Sequence, residues 1–199
     1  MYVSAAIVVV NIFGSDTLFY ALCVYIDMHF RLLGLQFKNI VFSNNETKRN
    51  LAKAVVKHQE LIDLVNQTEI LYSKSSLFNI LSSSVLICLS AFNITVADEI
   101  STIFAFISFL VMSLSQISLM CFFADMLMRS SMEISDSVYK CSWYEADEDS
   151  KKTIFLVIMR SQKACRLTAW NFADLNLRAF TTILSRSWSY FALLKTVYK

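Results

Sequence analysis

The residues with the most chemistry to explain lie near the C-terminus, in the stretch NLRAFTTILSRSWSYFALLKTVYK. Its Phe, Leu and Trp content suits lipid, yet it carries Arg178 and Arg186. A cation facing acyl chains costs about 2.5–3.5 kcal/mol on insertion scales, whereas one facing water or a partner costs less. Asp174 precedes Arg178 by four residues, the helical spacing of an ion pair, so Asp174 and Arg178 are expected to pair. Arg186 has no acid within a turn, so a water-filled path or a neighbouring helix must supply its solvent or counter-ion. Further along, Ser189, Leu193 and Thr196 share one stripe at i, i+4 and i+7, placing an apolar side chain beside two hydroxyls. Such a stripe can line and close a path for ions, an apolar ring excluding water and a hydroxyl lying beyond it.

No other constellation suggests catalysis. There is no nucleophile with a nearby base, no paired carboxylate within the apolar blocks and no metal-ligand spacing, so no enzyme, metal or cofactor is expected. His29 and His58 are isolated, and Cys23, Cys88, Cys121, Cys141 and Cys165 are scattered singly, which reads as buried thiols. A net charge of +2 with no basic run speaks against nucleic acid.

Hydrophobic residues form 56% of the 199 positions, above the usual soluble share. They cluster in blocks of bilayer length, at about 2–25, 77–96, 100–127 and 172–197. With no proline and two glycines, long unbroken helices follow. The fold class is therefore an all-α membrane protein with four transmembrane helices. Helical extensions outside the bilayer carry the charge. In the first, Leu51, Val55, Ile62 and Val65 form a stripe, and Ser43-Asn44-Asn45-Glu46 reads as a capping box. Ser82, Ser83 and Ser84 suit close helix contact in the second block. Ala97-Asp98-Glu99 alone divides the second block from the third, so those two form a hairpin.

Lys and Arg concentrate in segments 27–76 and 128–171 and are absent from the short turn. Both segments are therefore placed in the cytoplasm and the C-terminus outside. On this orientation none of the N-x-[ST] triplets at Asn45, Asn66 and Asn93 is expected to carry a sugar. Met1 also falls outside without a signal sequence, natural if an odd number of spans precedes it.

Three segments in order carry a resemblance: KHQELIDLVNQTEILYS, SQISLMCFFADMLMRSSMEISDSVYKCSWYEAD, and LVIMRSQKACRLTAWNFADLNLRAFTTILSRSWSYFALLK. Together they resemble the C-terminal half of an insect odorant receptor, with a tail most similar to moth and butterfly members. The resemblance implies family helices four to seven of a seven-helix protein in the plasma membrane of olfactory sensory neurons. It implies an odorant-gated, non-selective cation channel, assembled as a hetero-tetramer with a shared coreceptor and opened by a small volatile ligand. It places Leu193 and Thr196 at the gate of a pore lined by the last helix, with Ser189 on the same stripe. It suggests Val9, Phe13, Phe104 and Ser108 for the ligand pocket, and Trp143, Tyr144 and Trp170 for subunit contacts or the headgroup layer. Two alternatives stand beside it: the sister gustatory family, whose Gln-Phe signature SYFALLKTVYK lacks, and a self-contained four-helix membrane scaffold.

Overall fold

The computed structural model describes the backbone of residues 2–40 and 45–197, and the side chains of 14–40 and 48–196. Its elements are α1 (Tyr2–Lys38), α2 (Asn45–Val96), α3 (Ile100–Tyr139), a 3₁₀ turn (Trp143–Glu145), α4 (Glu148–Ser161), β1 (Thr168–Ala169), β2 (Ala173–Asp174) and α5 (Leu177–Val197). The chain is nearly all helical, as composition predicts.

The first three helices are much longer than a bilayer is thick. At about 1.5 Å per residue, the 52 residues of α2 span about 78 Å and the 40 of α3 about 60 Å, against about 30 Å of hydrocarbon. The apolar blocks are thus portions of helices, which continue unbroken where the composition turns polar. Among the described residues, Gly14–Lys38, Lys48–Val96 and Ile100–Tyr139 belong to helices long and apolar enough to cross a membrane. In Lys48–Val96 the uncharged part is Leu77–Val96.

Two compact units emerge, each described here by itself. Unit 1 comprises Met1–Ile70 and Met126–Leu167; unit 2 comprises Leu71–Asp125 and Thr168–Lys199.

Unit 1 is knitted by buried positions alternating three and four residues apart: Phe19, Cys23, Ile26, Phe30, Leu33 and Phe37 on α1, and Leu51, Ala54, His58, Leu61 and Val65 on α2. Leu127, Ile134 and Val138 of α3 and Ile154 and Val157 of α4 are buried in the same unit. A 3.5-residue repeat keeps one seam of each helix facing inward, as in coiled-coil packing. The predicted α2 stripe holds at Leu51, Ile62 and Val65, with Val55 half-buried at its flank. Of the expected capping box, Ser43 and Asn44 lie outside the described residues, and α2 begins at Asn45. An acidic run starts α4: Asp147 stands at the N-cap position, accepts a 2.7 Å hydrogen bond from Ser150 Oγ and pairs with Lys48 Nζ at 2.9 Å. Those partners, Ser150 first and then Lys48, hold the Asp147 carboxyl down to about 2. Glu148 and Asp149 add negative charge to the first turn, where the helix dipole favours it.

In the C-terminal part of α1, buried Asp27 accepts a 2.9 Å hydrogen bond from Arg31 Nε one turn later. Nearby, Gly34 lets α1 and α3 approach closely, since a Cβ there would stand 2.9 Å from Ser137 Oγ.

In unit 2, α2 ends at Val96 and α3 starts at Ile100, giving the expected hairpin. Its core joins Ile87, Ile117 and Cys121, with Phe180 and Ile183 of α5 packed against them. Ser83, Ser113 and Ser187 are buried there, and Ser187 Oγ donates to Ser84 O at 3.5 Å. Small hydroxyl residues at helix contacts are what Ser82–Ser84 suggested, although Ser82 spends its hydroxyl on Phe78 O of its own helix. All five cysteines are free and buried, as expected.

The last block departs from expectation at its start. Phe172 sits in a turn, and α5 begins five residues later at Leu177. Asn176 explains this: its Oδ1 accepts from Ala179 N at 2.7 Å and its carbonyl from Phe180 N, an N-cap that sets the first helical turn.

Gly34→Ala is expected to lower the melting temperature of the solubilised protein, by about 1–3 kcal/mol in stability, and Ser137→Ala to restore it by removing the opposing oxygen. Burial first, then the Arg160 charge, depresses His58 to about 4. The unfolded chain, with a histidine near 6.5, therefore takes up a proton before the folded one as pH falls. Stability from neutral His58 is complete above about pH 6.5 and declines by up to about 3 kcal/mol on acidification through pH 4. Thermal scans from pH 7 to 4 should show this loss in the native chain and a flatter profile in His58→Leu.

Candidate functional site

The sides of α5 decide what it can do. One side, carrying Phe180, Ile183, Leu184, Ser187, Phe191 and Leu194, is buried or half-buried. The opposite side carries Arg178, Thr182, Ser185, Ser189, Leu193 and Thr196, all exposed. At about 100° per residue, Arg178, Ser189 and Thr196 fall within roughly 20° of one another, diametrically across from Ser187. The structure thus brings the predicted stripe Ser189, Leu193 and Thr196 onto one open face, and it adds Arg178, Thr182 and Ser185, which sequence reading left off that face.

Three of the hydroxyls on this face donate to carbonyls of their own helix. Thr182 Oγ1 donates to Arg178 O at 2.9 Å, Ser189 Oγ to Ser185 O at 3.0 Å and Thr196 Oγ1 to Ala192 O at 2.9 Å. With the proton spent inward, the oxygen lone pairs are what remains for the outside. The face therefore offers acceptors, which suit cations, interrupted by the bulk of Leu193.

Asp174 lies in β2, outside the helix, so the i,i+4 helical spacing that suggested its pairing with Arg178 does not operate there. The segment before α5 is instead a tight hairpin. Thr168 pairs with Asp174 and Ala169 with Ala173, and Phe172 N closes the turn on Ala169 O at 2.9 Å. Trp170 and Asn171 both take positive φ, 48° and 56°. Asn tolerates that region, whereas Trp rarely adopts it. The turn displays Trp170 with Lys74 Nζ 5.9 Å from its ring centroid, a cation–π contact. Lys74 stands three residues before the uncharged block of α2, so Trp170 lies level with the block's N-terminal edge.

Trp143 and Tyr144 belong to unit 1, in the 3₁₀ turn, where Trp143 stacks against both Tyr139 and Tyr144. Phe104 and Ser108 are one turn apart on α3, both exposed, with Ser108 Oγ donating to Phe104 O at 2.9 Å. Val9 and Phe13 lie in α1, with side chains outside the described residues. Among the described residues no group of His, Cys, Asp or Glu is placed to hold a metal.

With this geometry in hand, the chain's likeness to known proteins becomes informative. The model of the family described as 7tm Odorant receptor matches residues 1–187. Odorant receptor 67c of Drosophila melanogaster is 29% identical over 187 residues, covering 92% of this chain and 46% of that protein. Odorant receptor 85b of the same fly is 31% identical over 187 residues, covering 93% and 48%. The chain spans about half the length of the curated relatives it matches. These relatives are receptors rather than enzymes, in line with the sequence reading. The structure of the insect olfactory receptor OR5 from Machilis hrabei in complex with eugenol superposes with a TM-score of 0.83 at 20% identity, covering 92% of this chain and 48% of that one. A second structure of the same receptor gives a TM-score of 0.84. The fold is shared with OR5, and the sequence match runs from the start of α1 into the middle of α5: the chain belongs to the 7tm odorant receptor family.

Proposed function

We propose that this chain supplies helices four to seven of an odorant receptor subunit in the plasma membrane of olfactory sensory neurons. The subunit forms an odorant-gated, non-selective cation channel as a hetero-tetramer with a shared coreceptor. Four segments cross the bilayer: the first part of α1, the end of α2, the start of α3, and α5.

The observation that carries this reading is the two-sidedness of α5. Its 21 residues reach about 31 Å, enough to cross, yet three basic side chains and several hydroxyls make it less apolar than α1 or α3. A membrane helix can keep such a face if it meets water inside an assembly. Acceptor oxygens along that face suit permeating cations. Leu193 supplies the apolar constriction that closes the path by excluding water, and Ser189 and Thr196 line it on either side.

The remaining roles follow from position. Val9 and Phe13 of α1 and Phe104 and Ser108 of α3 line part of the odorant pocket, with apolar contacts binding and the Ser108 hydroxyl orienting the ligand. Trp143, Tyr144 and Trp170 meet neighbouring subunits or the inner headgroup layer, where amphipathic rings are favoured. Asp174 and Arg178 pair across the start of α5 at the cytoplasmic boundary. The basic segments 27–76 and 128–171 are cytoplasmic and the C-terminus is extracellular.

Expressing the full-length receptor carrying this chain together with the coreceptor should yield cation current when a panel of volatile alcohols, esters and phenylpropanoids is applied. Leu193→Ala should raise the standing current or change its gating, and wild-type values for both would remove Leu193 from the gate. In intact cells, external protease should spare the segment between Glu145 and Lys152 while a C-terminal epitope stains without permeabilisation. Cleavage there from outside would invert the orientation.

A further inference from the structure

Arg186 has no part in the reading above, and its position gives it one. Its depth is set within unit 2 by the bond from Ser187 Oγ to Ser84 O, which registers α5 against the middle of the uncharged stretch Leu77–Val96. Arg186 is exposed. Neither α5 nor the stretches Leu77–Val96 and Ile100–Ala124 contain an Asp or Glu, so its own unit offers no acid at this depth. It lies seven residues before Leu193, which puts the two side chains about 20° apart on one stripe and about 10 Å apart along the axis, with Ser189 between them.

We propose that Arg186 projects into the ion pathway just inside the Leu193 constriction and sets its valence selectivity, disfavouring divalent relative to monovalent cations. The inference rests on the reading of α5 as the pore helix. A fixed positive charge lowers the local concentration of permeant cations by a Boltzmann factor whose exponent scales with ionic valence. Whatever depletion Na⁺ suffers, Ca²⁺ suffers its square. Screening acts over about 8 Å at physiological ionic strength, so the effect stays local to the narrow part of the path. A cation pathway tolerates the residue because the hydroxyl oxygens of Ser189 and Thr196 lie beyond it, and because each copy of this chain contributes a single such charge.

The test is the Ca²⁺/Na⁺ permeability ratio, read from reversal potentials of currents through the complete receptor and coreceptor, opened by the same volatile from the panel in every variant. Arg186→Gln should raise the ratio about two- to fourfold, Arg186→Glu should raise it further, and Arg186→Lys should leave it near wild type. Arg186→Cys should match Gln until a positively charged methanethiosulfonate reagent, applied to channels already at the surface, returns the ratio to the wild-type value; a neutral reagent should not. An unchanged ratio in conducting Gln, Glu and Cys variants overturns the proposal and leaves the pore reading standing. So does loss of surface channels rescued by Lys with no change in ratio, which would make Arg186 the counter-ion of a neighbouring helix. If no volatile evokes current through the wild-type complex although both subunits reach the surface, the channel reading falls and this proposal with it.

Discussion

Backbone hydrogen bonding in hydrocarbon is the constraint on which the rest depends. A segment that crosses lipid must satisfy every N–H and C=O internally, so it must be helical throughout. With no proline and only Gly14 and Gly34, nothing in this chain interrupts the helices once they begin. α1, α2 and α3 therefore run far past the thickness of a bilayer, and one rod does two jobs. In unit 2 its contacts are small and close, as with Ser83, Ser113 and Ser187; in unit 1 its seam is apolar and periodic, as with Phe30, Leu33, Leu61 and Val65.

That division explains what could be read from sequence alone. The apolar blocks, the missing breakers and the short Ala97–Glu99 turn made the long helices and their order legible, because each is a local signal. The α2 stripe and the serine contacts were legible for the same reason. What escaped was pairing over distance. Nothing in the spacing joins Lys48 to Asp147, so the tie between the start of α2 and the first turn of α4 was not legible in the sequence. His58 gave no hint of burial, because its neighbours Phe30 and Arg160 come from other helices. The Asp27–Arg31 pair could have been found from its i,i+4 spacing, a signal that presupposes a continuous helix, as α1 is and the stretch from Asp174 to Arg178 is not.

The hairpin itself had one partial sign. Asn171 is a residue that accepts the left-handed region, but its neighbour Trp170 is not, so the sequence reads as a plausible helix start. Only the turn, the ladder and the Asn176 cap together reveal that α5 begins afresh. Restarting the helix lets its open side be chosen independently of α4, and that freedom places Arg178, Arg186, Ser189, Leu193 and Thr196 on the open side together.

The hydroxyl bonds along α5 also bear on its mechanics. Each carbonyl that accepts a side-chain proton shares its lone pairs with the helical N–H four residues on, and such sharing loosens a helix and favours a bend on the side where it occurs. The carbonyls of Arg178, Ser185 and Ala192 carry that extra bond, spaced seven residues apart along a single side. The helix is accordingly most compliant on its open side, where Leu193 also lies, so a small curvature there changes how far that side chain reaches without disturbing the packed side.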